Sequence, residues 1–168
     1  PVFGGVLVAG LIYFLGFKYA GLGLDTIVAS FSVQQGAEVF ALKLGLTVLT
    51  LSAGFRGGEV TPLFFIGATL GSALSMFIPL PVGLLAGVGF VAVFSGATNS
   101  PIACTLMGLE LFSIGGINFS LMIFLVTGCF TAYYVSGHTG IYTSQIIGRV
   151  KYRFLPELKG KRLLDVMR

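Results

Sequence analysis

Long apolar runs separated by short Gly- and Pro-rich breaks set the pattern of this 168-residue chain. The runs cover residues 2–17, 37–51, 60–80, 82–94, 102–112 and 117–135, and each predicts a helix. A simple membrane span wants about 20 apolar residues, and several of these runs are shorter. Short helices broken by Gly and Pro suit a transporter, where discontinuous helices end inside the bilayer and aim their termini at a solute. Irregular backbone at that depth survives only where protein or a watery cavity covers it. The breaks fall at residues 21–23, 54–62, 79–83, 96–101, 115–116 and 137–140. Residues 24–35, with Asp25, Gln34 and Gln35, read as a short helix followed by a loop. Gly67/Gly71 and Gly83/Gly87 are spaced for close helix packing. No internal repeat of 20–50 residues is visible.

Composition turns this pattern into a class. Apolar residues make up 55% of the chain and charged residues 10%, whereas a soluble domain carries about 25% charge. Too few polar residues remain to cover a water-facing surface. Between Val60 and Gly148 the only charge is Glu110, while residues 149–168 hold seven Lys/Arg against Glu157 and Asp165. The net charge of +4 is therefore a property of the tail. A basic stretch after the last apolar segment is expected on the cytoplasmic side. Two segments follow: a membrane domain over residues 1–148 and a basic cytoplasmic tail over 149–168. Nucleic acid is no partner for a tail joined to so much lipid-compatible sequence. The chain opens at Pro1 with no Met and no signal-peptide pattern, and is expected to be a fragment.

Cys104 and Cys129 lie in apolar runs with no CxxC and no His nearby, so they read as small buried hydrophobes. The chemistry concentrates elsewhere. Gly54-Phe-Arg-Gly-Gly-Glu-Val-Thr-Pro62 leads into an apolar run. Gly57 and Gly58 leave the backbone bare, and Pro62 suits a first helical turn because it has no N–H to donate. A helix beginning there presents unpaired N–H groups and a positive dipole end next to an apolar span, a ready anion site. Glu59 reads in two ways. It complements the dipole, or it competes with an anion and carries a proton, as ionisable groups at membrane depth tend to do. Glu110 closes its segment and reads equally as an interfacial charge. His138, in a Gly-rich turn, reads as a loop or cap residue.

Gly57-Gly58-Glu59-Val60-Thr61-Pro62 resembles the GGxFxP element that opens a pore-lining helix in CLC anion channels and antiporters. Residues 63–71 are similar to the apolar stretch that follows it in that family. Gly96-Ala-Thr-Asn-Ser-Pro101, with Leu106-Met-Gly-Leu-Glu110 after it, resembles the family's small-residue segment ending in Ala-Pro and trailed by a Glu, with Ser100 in place of the Ala. Gly140-Ile-Tyr-Thr-Ser-Gln145 is similar to the start of its last helix, which carries a Tyr that donates to the central anion.

The resemblance implies an all-α membrane protein of tilted and discontinuous helices, the second half of an inverted-repeat architecture. By the same resemblance, the backbone N–H groups of Glu59 and Val60 cradle the anion, Gly57 and Gly58 permit its approach, and the Tyr142 hydroxyl closes the site. Glu59 and Val60 replace the apolar residue and the Phe of chloride-transporting members. Gly-Glu-Val-Thr-Pro instead resembles the fluoride/proton antiporter branch, whose Glu and Thr belong to the transport site, here Glu59 and Thr61. The implied function is fluoride export by proton antiport in a bacterial inner membrane, with Glu59 as the proton-coupling group. A chloride/proton antiporter or a chloride channel of the same family is the alternative. A homodimer is implied, with residues 102–112 and 117–135 facing the partner. No cofactor, metal or enzymatic activity is implied. The family's gating Glu belongs to the absent N-terminal part.

Three other classes account for less. A sodium-coupled carrier shares broken helices but explains neither Glu59 nor Tyr142. An intramembrane hydrolase built on Ser95 or Ser136 with His138 lacks a GxSxG elbow. A purely structural subunit predicts no polar residues gathered at broken helices.

Overall fold

The computed structural model describes residues 2–55, 57–113, 119–147, 150–151 and 158–166, with the backbone alone at 166. Its elements are α1 (Val2–Leu15), a 3-10 turn (Phe17–Tyr19), α2 (Leu24–Ala29), α3 (Ala37–Ser52), α4 (Val60–Leu74), α5 (Val82–Thr98), α6 (Pro101–Phe112), α7 (Phe119–Val135) and α8 (Leu163–Val166). Apart from an isolated bridge between Ile146 and Arg162, the regular structure of the described residues is helical. No helix among them is long and apolar enough to cross a membrane. The longest, α5 and α7, have 17 residues each, about 25 Å at 1.5 Å per residue.

Residues Pro1–Phe90 and Val91–Arg168 form two compact units. In the first, Tyr19, Ile27, Val39, Leu46, Phe65 and Ala68 form a buried core, with Ile12, Leu15, Phe31, Leu42, Phe64 and Phe90 packed around it. The Phe64 and Phe90 rings stack with centroids 4.1 Å apart. Small residues let α4 lie against the first half of α5. A Cβ built at Gly67 would run into the Gly89 carbonyl oxygen, and one at Gly71 into that of Leu85. The Gly67/Gly71 pair is thus a packing face. Gly83 meets a different neighbour, the Phe31 carbonyl, where a Cβ would sit 2.9 Å from its oxygen.

The expected helix over 60–80 stops at Leu74. Met76, Phe77 and Ser75 bond to carbonyls three residues back, at 3.0–3.2 Å, so the last turn tightens and the helix ends. The apolar run continues past it, which is why hydropathy alone overshoots. In the other direction α5 passes the expected end at 94 and reaches Thr98, because Ser95 and Thr98 find acceptors within the protein. Ser95 donates to the Cys129 carbonyl at 2.9 Å and Thr98 to the Phe94 carbonyl at 2.8 Å.

In the second unit α6 packs on α7 around Leu125 and Cys129, both fully buried. Cys104 and Cys129 are free buried thiols. The break before α6 has a clear local cause. Asn99 takes a left-handed conformation, φ 57°, that ends α5, and Pro101 opens α6 with Ser100 as its N-cap. Asn99 Nδ2 then donates to the Thr139 carbonyl at 3.0 Å, and the Ile141 N–H donates to the Ala97 carbonyl at 2.9 Å.

Six helical threonines share one habit. Thr47, Thr50, Thr69, Thr98, Thr105 and Thr127 each donate to the carbonyl one turn back on their own helix. Ser95, bonded across to α7, is the exception among the fully buried hydroxyls of that unit named here.

Candidate functional site

The sequence places its charged and polar candidates at the start of α4, and the structure makes that start an open helix end. Glu59 is the N-cap residue, with φ −83° and ψ −19°, and its side chain makes no capping hydrogen bond. Its carboxylate therefore meets the helix start through charge alone and not through a capping bond. Leu63 donates back to the Glu59 carbonyl at 3.3 Å. The N–H groups of Glu59, Val60 and Thr61 have no acceptor among the described residues, and Pro62 has no N–H to satisfy. Free N–H groups at a helix N-terminus favour negative charge. Gly57 and Gly58 are exposed, with open space where a side chain would be. The half-buried Thr61 hydroxyl makes no hydrogen bond among the described residues.

Gly57, Gly58, Glu59 and Pro62 line a cavity of about 280 Å³ with residues of α1, the 3-10 turn and α3. The lining also holds a charged residue that the sequence reading does not single out, Lys43, which is only 4% exposed. The signal was there, a single cation inside the apolar run of α3. Its ammonium donates to the Tyr19 carbonyl at 2.9 Å and the Gly21 carbonyl at 3.0 Å, and lies 4.9 Å from the centre of the Phe65 ring.

Tyr142 belongs to the second unit. It is 49% exposed and lines a separate cavity of about 210 Å³ with Phe94, Thr98, Ser100, Ala103, Cys104 and Met107. The segment around it corrects an expectation: residues 140–145 do not begin a helix. Gln145 donates back to the Tyr142 carbonyl in a turn at 3.0 Å. Leu163 and Leu164 then donate to the Gln145 and Thr143 carbonyls, and Ile147 to that of Lys161, all at 3.0 Å. Pairing with this later segment takes the carbonyls that a helix would have used. Glu110 is exposed near the end of α6, as an interfacial charge would be.

His138 is a loop residue, as the sequence suggests, with a specific duty. Its Nε2 accepts the Lys151 backbone N–H at 2.9 Å. The Lys151 ammonium in turn reaches Asn99 Oδ1, Ser136 Oγ and the carbonyls of Tyr133 and Gly137, and lies over the Tyr133 ring. Burial and the Lys151 charge hold the His138 pKa below its ordinary 6.5. Burial lowers Lys151 to about 8. Both groups are depressed in the folded state, so each favours folding in its neutral form and loses that contribution as pH falls. The His138 term is lost as pH falls through 6.5 and below, the Lys151 term between 10.5 and about 8. Cleavage within residues 158–166 by a pH-tolerant protease should accordingly be faster at pH 5.5 than at pH 7.5, after correction for protease activity. An unchanged rate means that the His138–Lys151 contact does not hold this segment.

The profile of the voltage-gated chloride channel family matches residues 1–137. The chain is 46% identical over 165 residues to a chloride/fluoride channel protein of Pseudomonas syringae pv. tomato, covering 94% of this chain and 35% of that one. It is 29% identical over 121 residues to an H(+)/Cl(-) exchange transporter ClcA of Cronobacter sakazakii, covering 67% of this chain and 25% of the relative. The crystal structure of a CLC-type fluoride/proton antiporter shares its fold at a TM-score of 0.73 and 40% identity, covering 83% of this chain and 35% of that one. The chain thus spans between a quarter and about a third of the length of these relatives. With the profile matched over residues 1–137 and the helical fold shared, the chain belongs to the voltage-gated chloride channel family, the CLC family, and is an integral membrane segment.

Proposed function

We propose that this chain supplies the α4 side of an anion pathway in a fluoride/proton antiporter. The observation that carries the reading is Glu59 at an uncapped helix N-terminus, beside free N–H groups, in a cavity that also holds a buried cation. Fluoride is small and strongly hydrated, so a site that strips its water needs several strong donors. The N–H groups of Glu59 and Val60 and the Thr61 hydroxyl are the donors that the first unit brings to this reading. Gly57 and Gly58 leave the approach open. Glu59 donates to the anion when protonated and repels it when ionised, and this alternation couples the two ions.

A relative at 46% identity is named a chloride/fluoride channel protein, and the structural neighbour is a fluoride/proton antiporter. Both support the fluoride branch. A chloride/proton antiporter or chloride channel is the second reading, favoured by the likeness to an H(+)/Cl(-) exchange transporter. In either case the working unit of the proposal is a homodimer, with α6 and α7 toward the partner and the basic residues after 148 in the cytoplasm. Exposed Ile102, Leu106, Phe119 and Ile123 on α6 and α7 give that face its apolar character.

The test is ion release from liposomes carrying the full-length protein that contains this chain. Fluoride should leave at least about tenfold faster than chloride, with protons taken up as it leaves. Equal or faster chloride release selects the second reading.

A further inference from the structure

Lys43 is a buried cation without a carboxylate partner among the described residues. Lysine is almost never fully buried unless it is paired, and an uncompensated charge in an apolar interior is costly. Two of its three hydrogens are accounted for by neutral carbonyls, those of Tyr19 and Gly21. Gly21 holds its carbonyl in place through a left-handed conformation, φ 57°, that a side chain would strain. What remains of the charge faces the Phe65 ring and the cavity shared with Gly57, Gly58 and Glu59.

The cavity offers no other cation among the described lining residues. Thr47 and Thr50 line it too, but their hydroxyl hydrogens go to the Lys43 and Leu46 carbonyls at 2.7 Å. The titratable groups facing it are Tyr19 from the 3-10 turn, Lys43 from α3 and Glu59 from the start of α4, while α1 contributes the apolar Val8 and Ile12.

We propose that Lys43 is the resident counter-charge of this cavity and an anion-binding residue, deepening the transport reading on which it rests. The charge count explains how. With Glu59 protonated the cavity carries +1 and a monovalent anion brings it to neutrality. With Glu59 ionised the cavity is already neutral, and an anion would make it negative. The cavity therefore holds a monovalent anion more firmly while Glu59 carries its proton and lets it go when Glu59 ionises. Lys43 sets this rule; without it the protonated cavity is neutral and the ionised one negative.

The experiment compares Lys43→Met and Lys43→Arg with the wild type in the full-length protein, as purified samples that elute as single species. Fluoride uptake into liposomes is measured against fluoride concentration and pH. Lys43→Met should raise the half-saturating fluoride concentration by about tenfold or more, with a smaller change in maximal rate. It should also change the pH profile of uptake, since each state of the cavity then carries one positive charge fewer. Lys43→Arg should stay within about threefold of wild type. If Lys43→Met does not accumulate folded, Lys43→Gln, which can still donate to a carbonyl but carries no charge, takes its place. A neutral variant with wild-type half-saturation and pH profile overturns the assignment, leaving Lys43 as a clamp on the Tyr19–Gly21 turn. Wild-type protein that moves no fluoride overturns the transport reading instead.

Discussion

Glu59→Gln should reduce proton uptake during fluoride release on the order of 100-fold, the scale of a lost proton-transfer group, while fluoride itself still moves. The amide reproduces the protonated carboxyl, because it can donate a hydrogen bond to an anion at the head of α4. It cannot ionise, so the state that expels the anion is lost. Release should then stop responding to an imposed pH gradient. The measurement is paired: a fluoride electrode outside the liposomes and a pH-sensitive dye inside them. Coupling that survives at the wild-type ratio sinks the role given to Glu59. The wild-type side chain makes no capping hydrogen bond, so loss of helix stability is a poor explanation for a strong effect.

The second large effect is on the fold. Gly71→Val should leave little folded protein, because its side chain would have to occupy the space of the Leu85 carbonyl on α5. Backbone cannot turn aside as a flexible side chain can. The overpacking cost of about 1–3 kcal/mol seen in ordinary cores is a lower bound where two helix backbones must separate. Gly45 gives the contrast, since nothing lies within 4 Å of a Cβ built there and the residue is exposed on α3. Gly45→Ala should raise the thermal midpoint, adding roughly 0.5–1 kcal/mol through helix propensity. The two variants differ in direction, so one thermal scan of each in detergent decides. Equal midpoints for Gly71→Val and wild type would mean that α4 and α5 are not held by backbone contact.

Apolar run length makes the helices legible from the residues alone, since lipid-compatible segments need little else to declare themselves. The start of α4 was legible for a second reason, the chemical oddity of Gly-Glu-Val-Thr-Pro before an apolar run. Its end was not. Residues 75–80 are as apolar as those before them, and the shift to tighter hydrogen bonding leaves no mark in hydropathy. The turn at residues 140–145 was hidden differently. Its Gln145 and Thr143 carbonyls accept from Leu163 and Leu164, about 20 residues on, and no local pattern reveals so distant a competitor. Of the candidate site, Gly57 through Thr61 form one contiguous start of α4, while Lys43 is supplied by another helix and joins them only in three dimensions.

The threonines that bond back to their own helices bear on how such a protein is made. A hydroxyl already satisfied one turn away can enter a bilayer with its helix, needing no neighbour to be present. Lys43 is different, since its acceptors lie on Tyr19 and Gly21. Both are earlier in the chain, so a ribosome delivers them first and the cation meets its carbonyls as it emerges. Ser95 must wait, because the Cys129 carbonyl that receives its hydrogen is 34 residues downstream. These two groups are therefore satisfied in a fixed order: Lys43 meets its carbonyls as it is synthesised, and the Ser95 hydroxyl stays open until α7 arrives.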